Sequence, residues 1–291
     1  MEKDNSLLYA CYINDMDLIK ERIVGVTSAQ LKKSTIETGT PLHAAAKNGN
    51  IEAIDLLLSA GADIEKGNFM KNSPLLTCIE ERKLDIAKYL IEKGANVNKK
   101  GCQNRNALSQ LILYAWDKNF AEFLVEKGCL VNSTSVDKTP LLEDAAITNN
   151  CDAIAFLLEN GIDLANLNKS LCFAIIYNAP KAISYLIELG ADLDSMYKSC
   201  KGVYKSLYHD TLVLDNRGDR RETIKILLEA GADFKTEPVR VVTTLTLEKT
   251  KLSPYEYAKE RLSKYPEDTF IAKNLELIEE YKNKRIPVGE L

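Results

Sequence analysis

Histidines, cysteines and paired carboxylates are the side chains most able to do chemistry, and in this sequence they do not converge. The two histidines are His43 and His209. His209 has Asp210 beside it, but no cysteine or further acid at a spacing that would close a zinc site. Seven cysteines, Cys11, Cys78, Cys102, Cys129, Cys151, Cys172 and Cys200, lie at irregular intervals with no C-x-x-C pair. Most fall in helical patterns, and they read as reduced thiols rather than disulfides or metal ligands. A Cys–His nucleophile would need one of them to meet one of the two rings, and nothing in the spacing arranges that. Neither G-x-x-x-x-G-K-[ST] nor G-x-G-x-x-G occurs, so no loop is built to cradle phosphate. Acidic pairs such as Glu80-Glu81 and Glu279-Glu280 read as solvated helix faces, and Arg217-Gly218-Asp219 as turn chemistry. Lys99-Lys100 and Arg220-Arg221 are too short for a nucleic-acid patch. The expectation is a non-enzyme with no catalytic residue, no metal and no cofactor.

Composition agrees with that reading. The 291 residues are 27% charged with a formal net charge of −4, which points neither to a polyanion binder nor to an acidic disordered tail. No apolar run approaches the roughly 20 residues that span a bilayer. Met1-Glu2-Lys3-Asp4-Asn5 lacks a basic region followed by an apolar one, so no signal peptide is expected. A cytoplasmic monomer is the expectation, without nucleic-acid or membrane partners; a secreted effector stays open.

The elements that carry these residues are short helices on a fixed period. Thr40 is a suitable N-cap, with Pro41 at the first helical position. Leu42, Ala45 and Ala46 form a narrow apolar face, and Gly49 can take the left-handed conformation that ends the helix. A second helix follows, with Ile54, Leu57 and Leu58 on one stripe, closed by Gly61. Thr40-Pro41, Ser73-Pro74, Asn106-Ala107 and Thr139-Pro140 recur every 33 residues. Gly61, Gly94, Gly128, Gly161 and Gly190 follow at intervals of 33, 34, 33 and 29. Before each comes an apolar doublet, from Leu57-Leu58 to Leu186-Ile187, which forms the expected core of the stack.

The T-P-L-H-x-A run from Thr40 to Ala45, followed by the Gly61-Ala62-Asp63 turn, resembles an ankyrin repeat. The resemblance implies an all-α helical-repeat solenoid with short hairpin connections and polar terminal caps, extending over nearly the whole chain. It also gives His43 a structural role, its ring bracing adjacent repeats. Residues 1–38 are read as an N-terminal cap repeat and linker, and 39–192 as regular repeats. Residues 193–247 form a repeat with insertions and a possible β-hairpin at Val239–Leu247, and 248–291 a C-terminal cap. All of 1–291 is read as one domain. The stretch Gly25–Glu37 is read as a longer linker before Thr40, and the connection after Asp163 is too short for a hairpin. Asn178 is expected to replace the helix-ending glycine, with Pro180 opening the next helix.

For function, the resemblance implies non-catalytic binding of another protein on a concave face lined by hairpin tips and the ends of first helices. Carried onto this chain, the tip candidates are Ile36 and Glu37; Phe69, Met70 and Asn72; Gln103 and Arg105, with Cys102 beside them; and Ser135, Val136 and Lys138. The helix ends add Lys47 and Asn48, Glu80 and Glu81, and Leu113 and Tyr114. Phe69 and Met70 are either an interface anchor or fold back on the neighbouring hairpin. Trp116, in the turn between two helices, is expected to plug local packing. Two alternatives stand beside this reading: a dedicated inhibitor, immunity or effector protein masking one target, and an enzyme with its site in the 195–247 insertion around His209 and Asp210.

Overall fold

A computed structural model describes residues 6–134, 140–193, 211–212, 218–232, 234, 241–242, 249–250 and 252–285. Short helices come in pairs: α1 (Leu7–Ile13) with α2 (Met16–Ile23), α4 (Pro41–Asn48) with α5 (Ile51–Ser59), α6 (Pro74–Glu80) with α7 (Leu84–Glu92), and α8 (Ala107–Tyr114) with α9 (Lys118–Glu126). Between the first two pairs lies α3 (Ser28–Lys32). Further along are α10 (Leu141–Ile147), α11 (Cys151–Glu159), α12 (Leu167–Ile176) and α13 (Pro180–Glu188). The chain divides into two compact units, one of residues 1–144 and 156–162, the other of 145–155 and 163–291.

In the first unit, the leading helices α1, α4, α6 and α8 stack successively on one another. Alanine makes this close approach possible: Ala44, Ala45 and Ala46 are all buried on α4. Thr40 caps α4 by accepting the His43 backbone N–H, and Gly49 ends it in the left-handed conformation at φ 73°. The second helices face the stack through one side only. Leu57, Leu90, Leu124 and Leu157 are fully buried, whereas Leu58, Val125 and Leu158 are half-buried. The core therefore rests mainly on the first residue of each doublet, joined by Ile91, the one second residue of these four doublets that is also buried; each contributes about 1.5–3 kcal/mol by leaving water. Trp116 packs edge-on against Phe156, with ring centroids 5.7 Å apart, and fills local space as its position in the turn suggests.

The long Gly25–Glu37 linker holds a short helix, Ser28–Lys32. Thr27 and Gln30 form a reciprocal capping box, the Thr27 N–H donating to Gln30 Oε1 at 2.8 Å, and this nucleates α3, whose Leu31 is buried. Short-range capping chemistry overrides the lack of an apolar repeat there. From Thr35 onward a hairpin begins, with Thr35 and Gly39 exchanging backbone hydrogen bonds at 3.1 and 3.2 Å.

In the second unit, α12 follows a single 3-10 turn, Leu164–Asn166, so the row of hairpins is interrupted after Asp163. Asn178 takes the left-handed position at φ 55° and Pro180 opens α13. The Asn178 amide donates to Asp219 O at 2.9 Å, and its Oδ1 accepts from Thr223 Oγ1 at 2.8 Å. Arg220 is 2% exposed. Its guanidinium donates to the carbonyls of Ile175 and Ile176 at 3.0 and 3.1 Å, satisfying the end of α12. A helix at Arg221–Glu229 follows, then helices at Pro254–Lys264 and Thr269–Arg285. Val241–Val242 pairs antiparallel with Lys249–Thr250, so the second strand lies beyond the Val239–Leu247 stretch of the expected hairpin. His209, Asp210, Cys200 and most of the 193–247 insertion lie outside the described residues.

Candidate protein-interaction surface

The hairpins that carry the candidate residues are fixed by side chains rather than by a sheet. His43 sits at the first junction, fully buried. Its Nε2 lies 2.8 Å from Asn72 O, an atom that only accepts, so Nε2 carries the proton. In the neutral ring Nδ1 is then the acceptor, 3.3 Å from the Thr40 N–H and 2.8 Å from Thr40 Oγ1. Burial pushes the imidazole pKa down to about 4, against the raising effect of the Asn72 hydrogen bond. His43 is thus a neutral tie, as the resemblance implies.

Asn72 continues the chain of ties. Its Oδ1 accepts the Cys102 N–H at 2.8 Å, and its Nδ2 donates to Glu80 Oε2 at 3.0 Å. Gly101 is where the next hairpin must pass close: a Cβ there would lie 2.3 Å from Asn72 Oδ1 and 2.5 Å from Leu76 Cδ1. Asn72, proposed from its position as a contact residue, is 1% exposed and offers no surface, because its side chain bonds two neighbouring elements.

The third junction is built differently. Ser109 stands two periods after His43, and its hydroxyl donates to Asp144 Oδ2 at 2.6 Å. Arg105 donates to Asp144 Oδ1 at 3.3 Å and also bonds Gln103 Oε1. Asp144 is 1% exposed, and its burial holds the carboxyl above the ordinary range, against the lowering effects of Ser109 and Arg105. Asp144 was not among the candidates. The signal was present in the periodicity: the same repeat position carries Ala45, Cys78 and Leu111, so an aspartate there stands out.

The remaining candidates divide by what they touch. Lys47 and Glu81 pair with each other at 2.9 Å, and Glu80 accepts from Asn72. The Asn48 amide donates to Cys11 O and Tyr12 O at 2.8 and 3.2 Å, bracing α1. Leu113 is half-buried, and Tyr114 and Glu37 are exposed. Ile36, Phe69 and Met70 stand out of the hairpins at 77%, 71% and 52% exposure, so Phe69 and Met70 do not fold back. Ser135, Val136 and Lys138 lie outside the described residues. Tyr12 and Ile13, at the end of α1, occupy the position of Lys47 and Asn48 and are exposed at 48% and 43%. The irregular spacing ahead of Thr40 hid them from the period.

Burial pushes the thiols of Cys11 and Cys78 up to about 12 and that of Cys129 to about 11, so all three stay protonated at neutral pH. Among the described residues, no three His, Cys, Asp or Glu side chains gather as metal ligands would, and no helix is long and apolar enough to cross a membrane.

The family of ankyrin repeats matches residues 7–101, in three copies. An ankyrin repeat protein of fowlpox virus (strain NVSL) is 32% identical over 146 residues, covering 44% of this chain and 20% of the viral protein. An ankyrin repeat and KH domain-containing protein, mask-1 of Caenorhabditis elegans, is 26% identical over 161 residues, 54% of this chain and 6% of its own length. The human transient receptor potential cation channel subfamily A member 1 is 27% identical over 137 residues, 46% of this chain and 12% of the channel subunit. The chain thus spans a fifth or less of the length of these relatives. Ankyrin repeats as a class mediate protein–protein interaction and are typically non-catalytic.

Proposed function

We propose that this chain is a non-catalytic binding module whose ankyrin repeats hold another protein on the surface made by the hairpin tips and the ends of the first helices. The observation that carries this is the contrast among the candidates. Lys47, Glu80, Glu81 and Arg105 are each engaged by groups of the chain itself, while Ile36, Phe69 and Met70 stand exposed on successive hairpins. Large apolar side chains on a rigid support are good anchors, since little ordering accompanies association. Binding through them is expected to depend weakly on salt, because the anchoring side chains are uncharged.

The test is affinity capture from the native source, followed by binding measurements with the purified partner. Phe69→Asp with Met70→Asp, at unchanged thermal stability, should weaken binding about 100-fold, the loss of two anchors of roughly 1–2 kcal/mol each. Affinity unchanged in that variant, or falling steeply between low and high salt, would put the contact elsewhere.

A further inference from the structure

Far along the chain from the hairpins, the Pro254–Lys264 and Thr269–Arg285 helices frame an open groove of about 460 Å³. Its floor is apolar: Leu262 from the first helix, Ala272 and Leu275 from the second. Glu276, Glu279 and Glu280 line the same groove, since three- and four-residue steps from Ala272 stay on one helix face. Glu279 accepts from the Tyr255 hydroxyl. Glu276 and Glu280 are exposed, and neither pairs with a cation among the described residues. The cations of the Pro254–Lys264 helix are directed elsewhere: Lys259 to Glu256 and the Tyr255 ring, Lys264 to Glu260, Arg261 over the Tyr265 ring.

We infer that this groove receives an amphipathic helix of a partner protein, with leucine-like side chains toward the floor and lysines or arginines toward Glu276 and Glu280. The cleft between two packed helices matches the ridge of a third. A helix satisfies its own backbone, so the groove need offer no N–H or C=O partner. An acidic segment would meet two uncompensated carboxylates, and a wholly apolar one would strip water from them without replacement. From Ala272 to Glu280 the wall is about 12 Å long at 1.5 Å per residue, or some two helical turns. This surface is separate in sequence from Phe69 and Met70, so the inference does not rest on the reading above.

The experiment is fluorescence anisotropy with a labelled helical peptide of leucine and lysine, beside a twin in which every lysine is glutamate. The full chain is expected to bind the lysine peptide saturably, at least about tenfold more tightly than the glutamate twin. Glu276→Gln with Glu280→Gln, both at exposed positions, should weaken that binding about tenfold, while Phe69→Asp leaves it unchanged. Bound peptide should slow hydrogen exchange across residues 272–280. Several results would overturn the inference: equal affinity for both peptides, equal binding by the Glu276/Glu280 variant, protection elsewhere on the chain, or a groove closed by self-association at the assay concentration.

Discussion

The Thr40–His43–Asn72 tie and the Arg105–Ser109–Asp144 cluster hold equivalent places in the repeat stack and rely on groups of opposite charge preference. The first buries a base and keeps it neutral: burial lowers the His43 pKa to about 4 and the ring works as one donor and one acceptor. The second buries an acid, satisfied by a hydroxyl at 2.6 Å and a guanidinium at 3.3 Å, with its pKa raised by the same burial. One loses stability when its group gains a proton, the other when its group loses one. A periodic backbone therefore does not impose a single electrostatic solution: the position of His43 carries an uncharged serine, Ser109, in the second cluster, and the buried charge-bearing group moves to Asp144, at the position of Ala45.

The largest expected effect separates the two directly. Arg105→Ala leaves Asp144 buried with its hydroxyl partner and without the guanidinium, which should cost about 3 kcal/mol in urea unfolding. Replacing Asp144 as well, as Asp144→Ala, should recover most of that loss. A single-variant cost below that of an exposed pair would dissolve the contrast between the junctions.

Acid titration gives the next effect. Unfolded His43 takes its proton near pH 6.5, while in the fold it does so only near pH 4. The unfolded chain therefore binds more protons in between, and stability falls as pH drops through that window, by about 2 kcal/mol at roughly pH 5. In His43→Gln this component should vanish, although the carboxylate titrations common to both proteins remain. Asp144 contributes in the opposite sense: its folded pKa is raised, so its term is most favourable in acid and is lost as pH rises through that value. Parallel stability curves for the wild type and His43→Gln between pH 7 and 5 would remove the neutral-tie account.

The smallest effect calibrates both. Lys47 and Glu81 pair at 2.9 Å with side chains 36% and 47% exposed. Lys47→Ala should change stability by no more than about 0.5 kcal/mol, with the difference shrinking further in salt. A loss comparable to that of Arg105→Ala would mean that exposure, rather than burial, governs these pairs.

Much of the scaffold was legible before any coordinates. The 33-residue recurrence of Thr40, Ser73 and Asn106 located three helix starts, because N-capping is local chemistry set by residues within one turn. Asn178 and Gly49 ended helices where their tolerance for positive φ suggested. The α3 helix escaped because five residues carry too little periodicity, although Thr27 and Gln30 held its cap in plain view. The surface candidates fared less evenly. A position on a hairpin tip does not reveal whether a side chain turns outward, as Phe69 does, or inward, as Asn72 does.

By itself the sequence determined the class of helix pairs, their caps and the apolar faces they must bury, since all of these follow from residues a few places apart. Only the tertiary structure decided what the polar residues would do. Arg220 became a helix cap, Asn72 a tie between hairpins, and Asp144 a buried acid because each meets a partner about 30 to 45 residues away. Desolvation and hydrogen bonding act over a few ångströms of space, and spacing along the chain does not report which groups will share it.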